Sequence, residues 1–113
     1  MKHLSESLNV CISQDDIDHI NRVCPNLSCC VYLHEGKLFT TGNPDCIIGV
    51  IVDEFLRRGL YIERCCDPHH RDGCYEFSVK IHRNGKTYRS THGELYCMLF
   101  ALIDILREES SHV

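Results

Sequence analysis

The sequence lacks several features that would assign the chain to a familiar class. No stretch of the 113 residues approaches the roughly 20 continuous apolar residues that a membrane helix needs. Residues 1–10 are interrupted by Ser, Glu and Asn, so they lack the apolar core of a signal peptide. The formal net charge is −4, whereas proteins held to nucleic acid mainly by phosphate contacts usually carry a basic excess. We therefore expect a soluble, cytoplasmic protein with no membrane partner.

Catalytic signatures are scarce as well. There is no glycine-rich phosphate-binding loop, and the adjacent carboxylates of Asp53 and Glu54 point in different directions on a predicted helix. Nine cysteines and eight histidines allow so many Cys–His pairs that no single pair identifies a nucleophile. We predict that the protein is not an enzyme.

The cysteines favour a reducing compartment, because their number is odd and no export signal accompanies them. Cys29, Cys46 and Cys97 lie within apolar runs, where reduced cysteine serves as a small buried hydrophobe. These three residues need no chemical role.

The length predicts one domain, residues 1–113, whose first part (1–42) holds a helix and a hairpin. Ser13 and Asp16 have capping-box spacing and predict a short first helix. The β-prone runs 27–33 and 38–41 predict a hairpin, with Gly36 at the turn position that needs a positive φ.

The second part, residues 43–108, predicts an α-β-β-β-α unit. Asn43 as N-cap, Pro44 as first helical residue and Gly59 as terminator define its first helix at both ends. Strands are then expected at 60–66, 74–82 and 86–90.

The last two strands should form a tight hairpin. A two-residue Asn84-Gly85 turn would set Ile81 opposite Tyr88 on the apolar face. The fold class is therefore α+β, with an antiparallel sheet and helices packed on one face.

The final helix should begin with a Thr91–Glu94 capping box and run to about Arg107. Tyr96, Phe100 and Ile103 extend its apolar surface beyond a single helix-on-sheet contact. The surplus is expected to meet the N-terminal hairpin or a second subunit, and we predict a homodimer through these residues.

The segment 65–74 is the most chemical-looking part of the chain and is expected to be a loop. Cys66, His70 and Cys74 are ligand types that zinc prefers, spaced with three-residue gaps. Only one half of the usual two-part zinc signature is present, so we predict a polar connection with incidental cysteines and no cofactor, and keep the zinc site as the alternative.

A modest positive surface is expected on the sheet. Lys80 and Arg89 share its outer face and Arg83 and Lys86 flank the turn, so these side chains could bind phosphates. In the alternative reading, Glu76 and Asp72 dilute the charge and the face is only solvated.

Acidic residues form the opposite kind of surface. Glu6, Asp15, Asp16 and Asp18 near the start, with Glu108-Glu109 near the end, could face a basic host protein. Alternatively, they are solubilising residues, and Asp15 and Asp16 already suit a helix N-terminus. A small-molecule pocket lined by Arg57, Arg58 or Arg64 is a third alternative.

The region 43–107 resembles the double-stranded RNA-binding domain in its layout, in Pro68-His69-His70 of the first loop, in Phe77 and in Asn84-Gly85-Lys86. The resemblance implies RNA contact through His69, His70 and Arg71 in that loop. The last helix opens with His92-Gly93-Glu94, so the family's lysine cluster is absent. Lysine-poor members of that family serve as protein-binding or dimerising modules.

The same region is also similar to small phage ABA-sandwich proteins, in Phe39-Thr40-Thr41, in Arg57-Arg58-Gly59 and in the segment 94–102 with Cys97. This resemblance implies a phage or mobile-element protein that binds a host protein and inhibits a defence system. We take that function, in the cytoplasm of the host cell, as the prediction. A double-stranded RNA-binding module using the 68–71 loop and the 80–89 strand face is the alternative.

Overall fold

The computed structural model describes residues 12–28, 30–69 and 74–111. Within these ranges lie three α-helices: α1 (Gln14–Val23), α2 (Pro44–Arg57) and α3 (Glu94–Ser111). A two-stranded sheet consists of β1 (Val31–His34) and β2 (Lys37–Thr40). A three-stranded sheet consists of β3 (Ile62–His69), β4 (Cys74–Ile81) and β5 (Lys86–Ser90). The predicted α+β class and the predicted order of elements are confirmed.

The N-terminal elements form where local signals placed them. The capping box of α1 is present, and Ser13 N donates to Asp16 Oδ2 at 2.9 Å. The hairpin turns at Glu35 and Gly36, which both have positive φ (53° and 76°), as a two-residue turn between right-twisted strands requires. β1 begins at Val31, later than predicted, because Pro25–Leu27 form a 3-10 turn.

Helix α2 has both predicted ends. Asp45 N donates to Asn43 Oδ1 at 2.8 Å, which satisfies one of the free N–H groups at the helix start. After the last turn, Gly59 adopts a φ of 68°, which ends the helix at little steric cost.

The pairing of β4 with β5 corrects the predicted register. Ile81 lies opposite Lys86, and Tyr88 lies opposite Val79. The predicted two-residue turn is wrong because only Gly85 of the Asn-Gly pair has a positive φ, and the loop spans residues 82–85, closed by Gly85 N donating to Ile81 O at 2.8 Å. Since the shift is two residues, Val79, Ile81 and Tyr88 all stay on the buried face.

The predicted loop 65–74 is also corrected. β3 continues through Cys66 to His69, and β4 begins at Cys74 directly opposite His69. Pro68 fits within β3 because β3 is an edge strand, where a missing N–H is tolerated. The connection between the strands is thus shorter than the sequence suggested.

Helix α3 is the central element of the core. It contacts α1, α2, β4 and β5, and every residue from Cys97 to Ile103 is buried. It begins at Glu94 rather than with a Thr91 capping box, because Gly93 has a φ of 126°, outside the helical region, and the Glu94 carboxylate accepts a hydrogen bond from Arg64 Nη2 instead. It extends to Ser111, beyond the predicted end at Arg107.

The burial of α3 also accounts for its wide apolar surface. Within the single chain, Phe100 is 5% exposed and Ile103 is 1% exposed, whereas Tyr96 is half-buried. Phe100 and Ile103 belong to the same cluster of buried side chains as residues of α1, α2 and both sheets. They leave little surface for a second subunit.

Three ion pairs fasten the C-terminal half of α3 to its neighbours. Arg58 Nε lies 2.7 Å from Glu109 Oε2, Arg107 Nη2 lies 2.6 Å from Asp16 Oδ2, and Lys86 Nζ lies 3.1 Å from Asp104 Oδ2. These pairs connect α3 to α2, α1 and β5.

No helix among the described residues is long and apolar enough to cross a bilayer.

Candidate functional site

The predicted positive surface is divided between the two faces of the sheet. Lys80 and Arg89 lie on the outer face, but Lys80 is opposite Glu63, and Arg89 Nε lies 3.7 Å from Glu76 Oε1. Each of these cations therefore has a carboxylate close by, and the outer face has little net positive charge.

The other two cations of this group do not lie with Lys80 and Arg89 on the outer face. Lys86 pairs with Ile81 on the helix-facing side, where its ammonium lies 3.1 Å from Asp104 Oδ2 and 3.3 Å from Glu108 Oε1. These hydrogen bonds raise the pKa of Lys86 and hold it in its charged form. Arg83 is exposed in the turn.

The predicted zinc ligands are only partly described. Cys66 lies on β3 opposite Phe77, on the helix-facing side, and Cys65 points to the outer face. His70 and Arg71 lie outside the described residues, and for His69 and Cys74 the structure describes the backbone alone. Among the described side chains, no group of three or more His, Cys, Asp or Glu residues could hold a metal. The zinc site therefore stays a prediction.

The buried thiols are poor nucleophiles. Burial raises the pKa of Cys24 to about 11 and that of Cys97 to about 12, and Cys97 Sγ donates to Phe77 O at 3.0 Å. The predicted burial of Cys97 is confirmed. The prediction for Cys46 is wrong, because Cys46 lies in the first turn of α2 on its exposed side, and Cys29 lies outside the described residues.

Most of the predicted acidic surface is occupied within the chain. Asp16 pairs with Arg107, Glu108 with Lys86 and Glu109 with Arg58. Asp15 and Asp18 remain exposed on α1, and Glu6 lies outside the described residues. The described part of the chain thus offers a partner few free carboxylates at these positions.

An exposed aromatic pair lies on the β1–β2 hairpin. Tyr32 and Phe39 are cross-strand partners whose rings are stacked, with centroids 6.0 Å apart and an interplanar angle of 21°. They are 42% and 38% exposed, and His34 adds an edge contact to Phe39. The pair is large, rigid and half solvated, which is the character of anchor residues in protein interfaces.

A second feature is the uncovered side of β3. Helix α3 packs on β4 and β5, and β3 lies at the edge of the sheet. Arg64 lies opposite Val79 and therefore faces the helix side, yet its side chain is 44% exposed. Among the described residues, the helices thus leave the helix-facing side of β3 uncovered at Arg64 and Cys66, whereas Ile62 packs against the core.

A cleft of about 410 Å³ lies beside this open strand, where the first turns of α2 and α3 approach the end of the hairpin. Its volume falls in the range of small-ligand sites. Its charged lining comes from Asp45, Arg64 and Glu94, whereas Ile48, Phe77, Leu95 and Tyr96 supply apolar surface. Arg64 Nη2 and Glu94 Oε1 form an ion pair across the cleft.

The sequence contained no local signal for this cleft, since its lining comes from separate segments between Thr40 and Tyr96. Of the three arginines expected at a pocket, Arg64 lines it. Arg58 instead bonds Glu54 and Glu109, and Arg57 pairs with Glu54.

Comparisons of the chain with protein-family models, with curated proteins and with solved structures found no match.

Proposed function

We propose that the chain is a non-enzymatic binding protein that acts by occupying the surface of a partner protein. The observation that carries the proposal is the stacked Tyr32–Phe39 pair, because two aromatic rings are left half exposed on a short hairpin. Such rings can be buried on association at a low cost in side-chain entropy. The resemblance to small phage proteins extends the proposal: the partner is a host protein in the host cytoplasm, and binding inhibits a defence system.

A homodimer belongs to the same proposal, but Phe100 and Ile103 contribute little to it because both are buried in the single chain. Tyr96 is the predicted interface residue with surface to offer. The hairpin face is the better candidate for any contact between copies.

The test is a pull-down from bacterial lysate with the tagged chain, run with and without nuclease. We expect a stoichiometric, nuclease-resistant protein partner that is lost with the double variant Tyr32→Ser and Phe39→Ser. The matched control is Leu56→Ser with Tyr61→Ser, which removes two other exposed apolar side chains, 65% and 70% exposed. Equal loss of capture in both double variants would mean nonspecific adhesion and would reject the proposal.

A double-stranded RNA-binding module remains the second candidate, and the observation in its favour is the α2-β3-β4-β5-α3 order with an antiparallel sheet. The paired charges of Lys86 and Arg89 weigh against it. Capture of nuclease-sensitive RNA without a stoichiometric protein would favour this candidate.

A further inference from the structure

We propose that the free edge of β3 and the cleft beside it form one docking surface for an extended peptide of the partner, with a basic side chain of that peptide in the cleft. This inference rests on the proposed function as a protein binder and names the chemistry of the partner. It is carried by three observations: an unpaired edge, an uncovered face and an unbalanced charge.

The edge itself is long and accessible. β3 has eight residues, pairs with β4 on one side and has no strand on the other side among the described residues. The side chains of residues 63–67 are all exposed. An unpaired edge of this kind presents a row of N–H and C=O groups with which an extended chain can pair.

The uncovered face of β3 determines where the side chains of a peptide strand paired with β3 would lie. Residues of a strand paired with β3 would alternate between the two faces of the sheet, as Cys65 and Cys66 do. Every second side chain would therefore lie on the side of Arg64 and Cys66, where none of the described helices covers the sheet. That side opens into the cleft, which Arg64 and Phe77 both line.

The charge of the cleft selects a basic side chain. Arg64 neutralises Glu94, whereas the Asp45 carboxylate has no ion-pair partner among the described residues. The apolar lining includes Ile48 and Phe77, which suit the aliphatic stem of an arginine or lysine whose head group pairs with Asp45. A peptide with an acidic side chain at that position would place a second carboxylate beside Asp45.

Charge disfavours two of the ways in which β3 edges of two copies could pair. In a two-fold antiparallel pairing centred on Cys65, Glu63 of one copy would lie opposite Asp67 of the other copy. A pairing centred on Arg64 would set two guanidinium groups opposite each other. Like charges directly across a ladder destabilise it, so these two registers of self-pairing are disfavoured.

The experiment titrates the isotope-labelled full chain with three blocked octapeptides of alternating valine and serine, identical except for one central serine that is replaced by arginine, replaced by glutamate or kept, at about 0.15 M salt. We expect the arginine peptide to shift the amide resonances of residues 62–67 and 93–96, and to bind at least about tenfold more tightly than the glutamate peptide. N-methylation of alternate amides on the pairing edge of the arginine peptide should abolish binding, because it removes the ladder hydrogen bonds.

Asp45→Asn should weaken the arginine peptide about three- to tenfold, whereas the matched variant Asp15→Asn, which changes an exposed first-turn aspartate of α1, should leave its affinity unchanged. Equal binding of all three peptides, shifts that map elsewhere, or equal effects of the two variants would overturn the inference. So would pairing of β3 between copies, seen as concentration-dependent shifts of its amides without peptide. If the hairpin-dependent pull-down succeeds while the peptides fail, the proposed function stands and this docking surface is wrong.

Discussion

Arg107 and Asp16, 91 positions apart in the chain, form a two-point ion pair. Nε lies 3.0 Å from Oδ1 and Nη2 lies 2.6 Å from Oδ2, so the last turns of α3 are held against the first turn of α1. The same carboxylate accepts a hydrogen bond from Ser13 N. Asp16 thus caps one helix and joins it to another.

Replacing Asp16 with Asn should destabilise the fold by about 1–2 kcal/mol at neutral pH, because the charge-assisted pair and part of the capping box are lost. The hydrogen bond from Arg107 lowers the pKa of Asp16 below its ordinary 3.8. A lowered carboxyl pKa stabilises the fold above the unfolded value, and the stabilisation is lost as pH falls through the folded value.

Denaturant unfolding of the native chain and of Asp16→Asn from neutral pH to about pH 2 measures this effect. The difference between them should be constant above about pH 5 and shrink below about pH 4. Asp15→Asn is the control and should change the free energy of unfolding by less than about 0.5 kcal/mol. A difference that does not vary with pH would contradict the assignment.

Tyr88 makes a comparable connection from the sheet, since its buried hydroxyl donates to Asp104 on α3. Tyr88→Phe should cost about 1–1.5 kcal/mol, because Asp104 keeps Lys86 as a partner. The matched control is Tyr96→Phe, because this ring is half-buried and its hydroxyl has no described hydrogen bond. This variant should leave the free energy of unfolding nearly unchanged. Equal losses in the two variants would contradict the role of the Tyr88 hydroxyl.

The same site predicts alkaline behaviour. Burial, with the hydrogen bond to Asp104, raises the pKa of Tyr88 well above its ordinary 10.0. The folded state then holds this proton more tightly than the unfolded state, so stability falls as pH rises above about 10. Ultraviolet titration should show Tyr88 ionising only with unfolding, and Tyr88→Phe should reduce the alkaline loss of stability.

The features that the sequence predicted well are those specified by a few neighbouring residues. Asn43 and Gly59 mark the ends of α2, and Glu35-Gly36 turns the hairpin, because each depends on local φ/ψ preferences and one nearby hydrogen bond. The register of β4 with β5 failed because Asn84 could support more than one loop length.

The candidate site could not be predicted in the same way. The Arg64–Glu94 pair joins residues 30 positions apart, and the cleft arises only when two helix starts and a sheet edge meet. Likewise, Lys86 looked like part of a positive surface until the register placed it beside Asp104 and Glu108. Local sequence patterns determine the helices and strands, whereas the partner of each charged side chain depends on tertiary packing.

Phe100 and Tyr96 distinguish a core role from an interface role. Phe100→Ala should cost about 3–5 kcal/mol, as for a buried aromatic side chain, with an unfolding midpoint independent of protein concentration. Tyr96→Ser should cost less than half of that. Two results together would instead support the predicted dimer interface. The unfolding midpoint of the native chain would rise with protein concentration, and the Phe100→Ala variant would be monomeric but stable.

Zinc content tests the segment around β3 and β4. We expect far less than one zinc per purified chain, because the sequence supplies only one half of the usual two-part zinc signature. Stoichiometric zinc that disappears in Cys66→Ser and Cys74→Ser but remains in Cys65→Ser would establish the predicted Cys66, His70 and Cys74 site.

Duplex RNA binding tests the alternative function. We expect a duplex of about 20 base pairs to bind no more tightly than the nonspecific range of about 10⁻⁴–10⁻⁶ M at about 0.15 M salt. The reason is that Lys86 and Arg89 already have carboxylate partners, so few phosphates could be neutralised without breaking those contacts. Fluorescence anisotropy over a range of salt concentrations is the measurement. Tighter binding with a steep salt dependence would contradict this expectation. If the double variant Lys80→Ala with Arg83→Ala weakened that binding and the double variant Tyr32→Ser with Phe39→Ser did not, the function would belong to the basic strand face and not to the hairpin.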